Sequence, residues 1–170
     1  MKKYFIPCFL LILSINANSQ TRKKIITADI ITINSKILKE KRTVWVYNPN
    51  NIENNRKRKC PVIYVLDGEN HFSSIVAMVE YLSEANIIPP MIVVGILHPN
   101  RMEDLTPTIE DSIGDKRGEN SGGGENFMLF IKNELIPDIE SKYSTAPYRI
   151  LTGHSLGGLF AAYCLLNSKG

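Results

Sequence analysis

Hydrophobic positions along this chain form compact runs separated by helical patterns, and this alternation predicts an α/β fold. Residues 24–34 and 42–47 are rich in β-branched and aromatic side chains and flank a polar stretch, which predicts two antiparallel strands. Three further apolar runs follow, at Val62–Leu66, Met91–Leu97 and Tyr148–Leu151. Two of these runs are continuous rather than alternating, which is typical of parallel strands buried on both faces.

Helical patterns lie between the predicted strands. The first has apolar residues at the i, i+3, i+4, i+7 spacing of a helix with one buried face: Phe72, Ile75, Val76, Val79 and Leu82. A second has apolar residues four apart, at Phe127, Ile131, Leu135 and Ile139, and is expected to bend near Pro137. The resulting order β-β-β-α-β-α-β-α predicts a mostly parallel sheet with helices on both faces.

The long segment between His98 and Glu125 has no clear periodicity. It leaves the carboxyl end of the fourth strand, which is the edge where open α/β sheets bind ligands. A loop of this length in a small domain is usually functional or disordered. We therefore expect part of it to form a wall of the site, and the glycine run Gly122–Gly124 fits a flexible tether better than a phosphate cradle.

The first residues predict an export signal. Lys2 and Lys3 precede an apolar run, Tyr4–Ile15, and Ala17-Asn18-Ser19 follows as a small-residue cleavage pattern. This arrangement predicts a secretory signal peptide over residues 1–19 and leaves 20–170 as part of a single domain. The apolar run is too short to span a bilayer. The expected location is therefore exported, either periplasmic or secreted, with no stable membrane insertion.

Composition and charge narrow the class of protein. The chain is 44% hydrophobic and 22% charged, which is the composition of one globular domain. Loss of Lys2 and Lys3 with the signal peptide would leave 18 basic and 17 acidic residues. Such a balance gives no reason to expect nucleic acid as a partner. Cys60 and Cys164 match no metal-binding spacing, so we expect two buried free thiols, although an exported protein could also join them as a disulfide.

The most informative motif is Gly153–Gly158, which reads Gly-His-Ser-Leu-Gly-Gly and fits the pattern G-x-S-x-G. A predicted strand comes directly before it and the apolar helix Leu156–Leu166 directly after it, which is the setting this motif requires. The serine must project from a tight, strained turn, and glycine at 153 and 157 removes side chains that would collide there. These features predict that Ser155 is a nucleophile. A plain glycine-rich turn between strand and helix is the alternative.

Two backbone donors are expected to form an oxyanion hole. One is the N–H of Leu156, and the other lies in the loop after the third strand, at Gly68 or Glu69. In this motif the acid and the histidine follow the serine in the chain, so Asp67 is expected to shape the loop rather than act as the catalytic acid. The residues after Ser155 contain no candidate base or acid.

Two histidines are candidates for the substrate pocket. His71 lies beside the predicted oxyanion loop, and His154 adjoins the serine but cannot easily fold back onto its hydroxyl. A surface or helix-capping role fits His71 equally well.

Four segments together resemble the putative-esterase family, and in particular its siderophore-esterase-like branch. They are Val62–Gly68, Arg101–Pro107, Glu134–Pro137 and Gly153–Gly158, and the resemblance extends roughly over residues 30–168. It implies an α/β-hydrolase fold, a Ser-His or Ser-His-acid catalytic set, and no metal or other cofactor.

The same resemblance implies roles for two more residues. Arg101 and Asp104 would shape the substrate side of the site. Glu103 stands where related sequences often carry a second arginine, so a strongly anion-binding pocket is not implied. Members of the family continue well beyond the helix that follows the serine, and we therefore expect this chain to be truncated there, poorly soluble and nearly inactive by itself.

The expected function is hydrolysis of a small-molecule carboxylic ester through an acyl-enzyme at Ser155. A non-catalytic binding protein with a hydrolase fold is one alternative, and an acyltransferase or peptidase that uses the same nucleophile is another. The sequence leaves the oligomeric state open.

Overall fold

The computed structural model describes residues 28–50, 58–108 and 121–167, which form one mixed β-sheet with helices on both faces. The strands are β1 (Asp29–Ser35), β2 (Glu40–Tyr47), β3 (Cys60–Val65), β4 (Ile92–Ile96) and β5 (Thr145–Thr152). The helices are α1 (Gly68–Glu84), α2 (Arg101–Leu105), α3 (Gly124–Phe130), α4 (Ile136–Lys142) and α5 (Leu156–Asn167), and a π-helical turn at Ile131–Leu135 joins α3 to α4.

The strand order in the sheet is β1-β2-β4-β3-β5. β3 is parallel to both β4 and β5, whereas β2 is antiparallel to its neighbours β1 and β4. Every strand except β2 therefore points in one direction, and the prediction of a mostly parallel α/β sheet is confirmed. The carboxyl ends of β3, β4 and β5 consequently meet at one edge.

The antiparallel pair at the start of the chain is also present. β1 pairs with β2 over the whole length of β1, from Asp29 opposite Val46 to Ser35 opposite Glu40. Residues 24–27 of the first predicted strand, and the predicted signal peptide at residues 1–19, lie outside the described residues.

The core has two layers, one on each side of the sheet. On one side α1 packs its Phe72, Val76 and Val79 against the strands. On the other side α3, α4 and α5 enclose a cluster around Phe127, Phe130 and Phe160. β3 and β4 supply side chains to both layers, which explains their continuous apolar runs. Full burial of each large apolar side chain contributes about 1.5–3 kcal/mol.

The irregularity expected near Pro137 takes the form of the π-helical turn Ile131–Leu135. Proline has no N–H to donate and its ring crowds the carbonyl four residues earlier, so a regular helix cannot run through this position. The chain keeps helical backbone angles at both ends of this wider turn, so α3 continues through it into α4. Pro137 then lies in the first turn of α4, where its missing N–H costs nothing.

Glu134 in this π-helical turn ties the helix to the β1–β2 hairpin. Its carboxylate accepts a hydrogen bond from the Ser35 hydroxyl, from the Lys36 backbone N–H at 2.9 Å and from the Ile37 backbone N–H at 3.2 Å. One charged side chain thus satisfies three donors in the hairpin turn, although about a hundred residues separate the two elements in sequence.

We expect Glu134→Ala to lower the free energy of unfolding by about 2 kcal/mol, because it leaves those three donors without their acceptor. Glu134→Gln keeps one acceptor oxygen and should cost less. Asn133→Ala, an exposed change one residue away, is the matched control. Urea unfolding at a constant m value measures all three, and equal stability of the Glu134→Ala and Asn133→Ala variants would contradict this account.

The glycines before α3 are packed rather than free. The N–H of Gly123 donates to the Glu103 carbonyl at 2.9 Å, and that of Gly124 donates to the Thr106 carbonyl at 3.0 Å. A Cβ at Gly123 would lie 2.8 Å from Glu103 Cγ, and one at Gly124 would lie 2.9 Å from the Thr106 carbonyl oxygen. The prediction of a flexible tether is therefore wrong at these two residues, which are glycine because the backbone passes so close to α2.

The described part of α5 and its neighbouring strand carry exposed apolar side chains. Leu165 is 80% exposed and Leu166 84%, and Tyr148 on β5 is also exposed. Within the described residues β5 pairs with β3 on one side only. None of the helices described here is long and apolar enough to cross a bilayer.

Both cysteines of the described residues are buried free thiols. Cys60 begins β3, and Cys164 lies on α5. Burial raises the pKa of the Cys164 thiol to about 11, so this side chain stays protonated and unreactive at neutral pH.

Candidate active site

Ser155 lies at the turn between β5 and α5. Its φ of 55° places it in the left-handed region, and the residue is exposed. The turn is closed by hydrogen bonds from the Gly157 N–H to the His154 carbonyl at 2.9 Å and from the Leu159 N–H to the Ser155 carbonyl at 3.0 Å. The predicted strand-turn-helix setting is confirmed. The hydroxyl therefore projects from a strained position at the sheet edge where β3, β4 and β5 end.

Glycine is required most strictly at position 153. A Cβ there would lie 2.6 Å from the carbonyl carbon of Gly157, which is closer than real atoms approach. At Gly157 the nearest atom to an added Cβ is Asp67 Oδ2 at 3.2 Å, and at Gly158 it is the Gly153 carbonyl oxygen at 3.3 Å. Crowding within the strand-to-helix turn thus accounts fully for Gly153 and in part for Gly158, whereas Gly157 lies against the side chains of Asp67 and Leu66 at the end of β3.

The predicted oxyanion donors lie at the N-termini of two helices, and the strands that precede these helices are neighbours in the sheet. Leu156 opens α5 after β5, and Gly68 and Glu69 open α1 after β3. The first N–H groups of a helix have no acceptor within it, and in α1 the next two, those of Asn70 and His71, donate to the Asp67 carbonyl. Free donors are therefore expected at Leu156, Gly68 and Glu69, and their role in stabilising an oxyanion stays a prediction.

Gly68 is glycine for a steric reason. A Cβ there would lie 2.7 Å from the Gly95 carbonyl carbon and 2.8 Å from the Ile96 nitrogen. The loop after β3 therefore lies directly on the end of β4.

Asp67 forms an ion pair with Arg101. Arg101 Nε donates to Asp67 Oδ1 at 2.5 Å, and Arg101 Nη2 donates to Asp67 Oδ2 at 3.0 Å. The hydrogen bonds that Arg101 donates to Asp67 are the largest influence on the pKa of Arg101 and raise it above its usual value. Burial opposes this rise, and the charges of Asp67 and Glu69 add to it. Asp67 has a φ of 53° and a buried carboxylate, so it holds the loop in shape, as the sequence predicts.

Asp104 lies in a buried charged cluster with Arg42 and His98. Its two oxygens accept hydrogen bonds from Arg42 Nη1 and Nη2, both at 2.6 Å, and Oδ2 also lies 2.8 Å from His98 Nδ1. The Arg42 guanidinium lies 5.5 Å from the centroid of the Phe127 ring. This placement differs from the substrate-side role implied for Asp104: both oxygens are already occupied, and the carboxylate fixes α2 from within.

Arg42 is the residue of this cluster that the sequence analysis missed. The available signal was the period-2 alternation of β2, which places Arg42 on the same face as Val44 and Val46, and all three are buried. A charged residue on an inward face implies a buried partner.

His71 and His154 lie together beside the serine turn. Their ring centroids are 5.8 Å apart in an edge-to-face arrangement. Both line a pocket of about 160 Å³ together with Val65, Leu66, Ser74, Ile75, Thr152 and Gly153. The structure thus brings the two predicted pocket histidines to one place, whereas the side chain of His98 is fully buried at Asp104.

The base that would activate Ser155 is not found among residues 28–50, 58–108 and 121–167. Within these ranges no side chain hydrogen-bonds to the Ser155 hydroxyl. Within the same ranges no three His, Cys, Asp or Glu side chains are grouped closely enough to hold a metal ion.

Comparison with known proteins identifies relatives over most of the chain. A family model described as Putative esterase matches residues 35–170. The chain is 33% identical over 122 residues to the ferri-bacillibactin esterase BesA of Bacillus subtilis, an alignment that covers 62% of this chain and 42% of BesA. It is 29% identical over 109 residues to the uncharacterized protein YbbA of the same organism, covering 62% of this chain and 44% of YbbA. The chain spans less than half the length of these curated relatives.

A solved structure is also similar to most of the chain. An IroE-like serine hydrolase from Shewanella oneidensis superposes with a TM-score of 0.74 at 35% sequence identity, and the match covers 82% of this chain and 46% of that protein.

Proposed function

The chain belongs to the esterase family described as Putative esterase, whose model matches residues 35–170, and from this membership we propose that the protein is a serine hydrolase of carboxylic esters. The observation that carries the proposal is the geometry at Ser155. An exposed serine at a φ of 55° stands on a glycine-flanked turn between β5 and α5, beside the N-terminus of α1 on the neighbouring strand.

The proposed reaction runs through an acyl-enzyme. Ser155 Oγ bonds to the acyl carbon of the substrate while its proton passes to a general base. The bond from the acyl carbon to the alcohol oxygen then breaks, and the alcohol leaves with that proton. Water adds to the acyl carbon, releases the carboxylic acid and returns a proton to Ser155. The N–H of Leu156 and that of Gly68 or Glu69 donate hydrogen bonds to the carbonyl oxygen and stabilise the negative charge that develops on it.

The general base of this reaction is proposed to be a histidine, and none of the three histidines in the sequence, His71, His98 and His154, hydrogen-bonds to the Ser155 hydroxyl. His98 is occupied by Asp104, and no described side chain hydrogen-bonds to the Ser155 hydroxyl. His71 and His154 are instead proposed to contact the substrate, because they line the pocket beside the serine turn. The reaction as written uses no metal or other cofactor.

The proposed substrate class is a siderophore ester. The named relative BesA is a ferri-bacillibactin esterase, and the solved neighbour from Shewanella oneidensis is described as IroE-like. Both are more than 30% identical to this chain over the matched region, but the match covers less than half of either protein. The siderophore and ester assignments therefore follow from relatedness, whereas the role of Ser155 as nucleophile is also supported by the geometry of its turn.

An export signal completes the proposal. Lys2 and Lys3, the apolar run and Ala17-Asn18-Ser19 support a signal peptide over residues 1–19. This segment would direct the enzyme to the periplasm or the medium and be removed on export, so that the enzyme acts on an ester present there.

The proposal is tested by labelling the intact protein with a fluorophosphonate and mapping the adduct by mass spectrometry. We expect a single active-site adduct, at Ser155. A ferric catecholate siderophore with an ester backbone should be cleaved, and one with the same iron-binding groups on an amide backbone should not. Absence of both adduct and cleavage would indicate a non-catalytic binding protein. Cleavage of the amide would indicate a peptidase, and transfer of the acyl group to an added alcohol in preference to water would indicate an acyltransferase.

A further inference from the structure

One guanidinium joins the two loops that carry the predicted oxyanion donors. Arg101 pairs with Asp67, the residue before Gly68, and its Nη2 also donates to the carbonyl oxygen of His154 at 3.4 Å. His154 is the residue before Ser155. A side chain on α2 therefore contacts both the loop after β3 and the serine turn after β5.

The Asp67 carboxylate is held between Arg101 and the first turn of α5. Only 3% of its side chain is exposed, and Oδ2 would lie 3.2 Å from a Cβ placed on Gly157. Asp67 also takes a left-handed backbone conformation, with φ 53° and ψ 47°, at the point where the chain turns into α1. The direction of the Gly68 and Glu69 N–H groups depends on this turn, and the side chain of the turn residue Asp67 is bonded to Arg101.

The far end of this connection is anchored. Arg101 and Asp104 lie three residues apart on α2, and Asp104 is fixed by Arg42 and His98 in the buried cluster. Arg101 therefore extends from a helix that is itself held against the core. Its side chain is 38% exposed, so it is reachable from solvent but already engaged.

We propose that Arg101 and Asp67 are positioning residues that hold the two halves of the oxyanion hole in register. This inference rests on the proposed ester hydrolysis and assigns Arg101 a role other than direct contact with the substrate. Oxyanion donors must lie about 2.7–3.1 Å from the developing charge, so a small displacement of one loop relative to the other loses much of their effect. The bridge from Asp67 to the His154 carbonyl sets that relative position.

The test compares Arg101→Gln, Asp67→Asn and the double variant in the intact protein, with an uncharged and an anionic ester as substrates. Each single variant is expected to lower kcat by about 10–10²-fold with little change in KM for either ester. The double variant is expected to be no slower than the slower single variant, because the two residues act as one unit. Binding of a boronic acid that forms a tetrahedral adduct should weaken by the same factor as kcat, whereas binding of the product carboxylate should not change.

The controls separate this role from a general loss of structure. Arg149→Gln removes a similarly exposed arginine, paired with Glu140 on the surface, and should leave kcat unchanged. Arg101→Gln could unfold because it leaves the buried Asp67 carboxylate without a partner. The double variant has no such charge, so its kcat then tests the positioning role. Arg101→Lys should recover part of the lost rate, since one ammonium reaches Asp67 but cannot span both loops.

Three results would overturn the inference. They are a rise in KM confined to the anionic ester with kcat intact, unchanged kcat and boronate affinity, or additive losses in the double variant. Each of these leaves the proposed hydrolysis standing. The proposed function itself fails on a different result, namely undiminished hydrolysis by Ser155→Ala.

Discussion

Ser155→Ala is expected to abolish ester hydrolysis by the intact protein, with a fall in kcat on the order of 10⁶-fold and complete loss of fluorophosphonate labelling. The hydroxyl group is the only group lost, and no described side chain hydrogen-bonds to it, so the change removes the nucleophile without disturbing a neighbour. Hydrolysis rates with a chromogenic ester and intact-protein mass after labelling measure the two effects.

Ser155→Gly distinguishes chemistry from folding at the same position. The serine has a φ of 55°, a conformation that glycine adopts without strain. Ser155→Gly should therefore be as stable as the wild type and as inactive as Ser155→Ala. A melting temperature well below that of the wild type would show that the residue also stabilises the turn. Retention of a tenth or more of the hydrolysis rate in either variant would refute a nucleophilic role.

Asp104→Ala has the largest expected effect on stability, a loss of about 3 kcal/mol in the free energy of unfolding. The variant strands the buried guanidinium of Arg42, whose side chain is 4% exposed, and removes the partner of the fully buried His98 ring. Glu40, which also pairs with Arg42 at 2.6 Å but is half-exposed, offsets only part of this cost. Urea unfolding of the intact protein at constant m value is the measurement.

Two further variants test whether the cost arises from the stranded charge. Glu103→Ala removes an exposed carboxylate from the neighbouring position of α2 and should change stability by less than about 1 kcal/mol. Arg42→Met combined with Asp104→Ala should cost clearly less than the sum of the two single changes, since it removes both charges together. Additive losses would show that the two residues stabilise the protein independently of each other.

Much of the fold follows from local patterns in the sequence. The continuous runs at Val62–Leu66 and Met91–Leu97 predict strands buried on both faces, and β3 and β4 are such strands because a helical layer covers each side. The serine turn was predictable for a similar reason, since Gly153 is demanded by a local collision with Gly157 that any strand-turn-helix of this kind shares.

Features that depend on distant partners were not predictable in the same way. α2 is only five residues long and owes its position to Asp104, which meets Arg42 across the sheet edge. The pairing of Asp67 with Arg101 likewise joins residues 34 positions apart. Local periodicity can show that a charged residue faces inward, but it does not show which distant residue is its partner. Only the inward-facing charge at Arg42 indicated that a buried partner existed.

During folding, the serine turn reaches its place beside the loop after β3 only once β5 has paired with β3. Val62 lies opposite Arg149, and α1, β4 and the helices from α2 to α4 all intervene in the sequence. The chain loses entropy when so long a loop closes, before the contacts between the strands stabilise it. Pairing of β5 with β3 is therefore slow. The turn at Asp67 can form with α1 at once, whereas the serine turn joins it only when β5 arrives. During refolding, esterase activity should therefore recover later than helical circular dichroism.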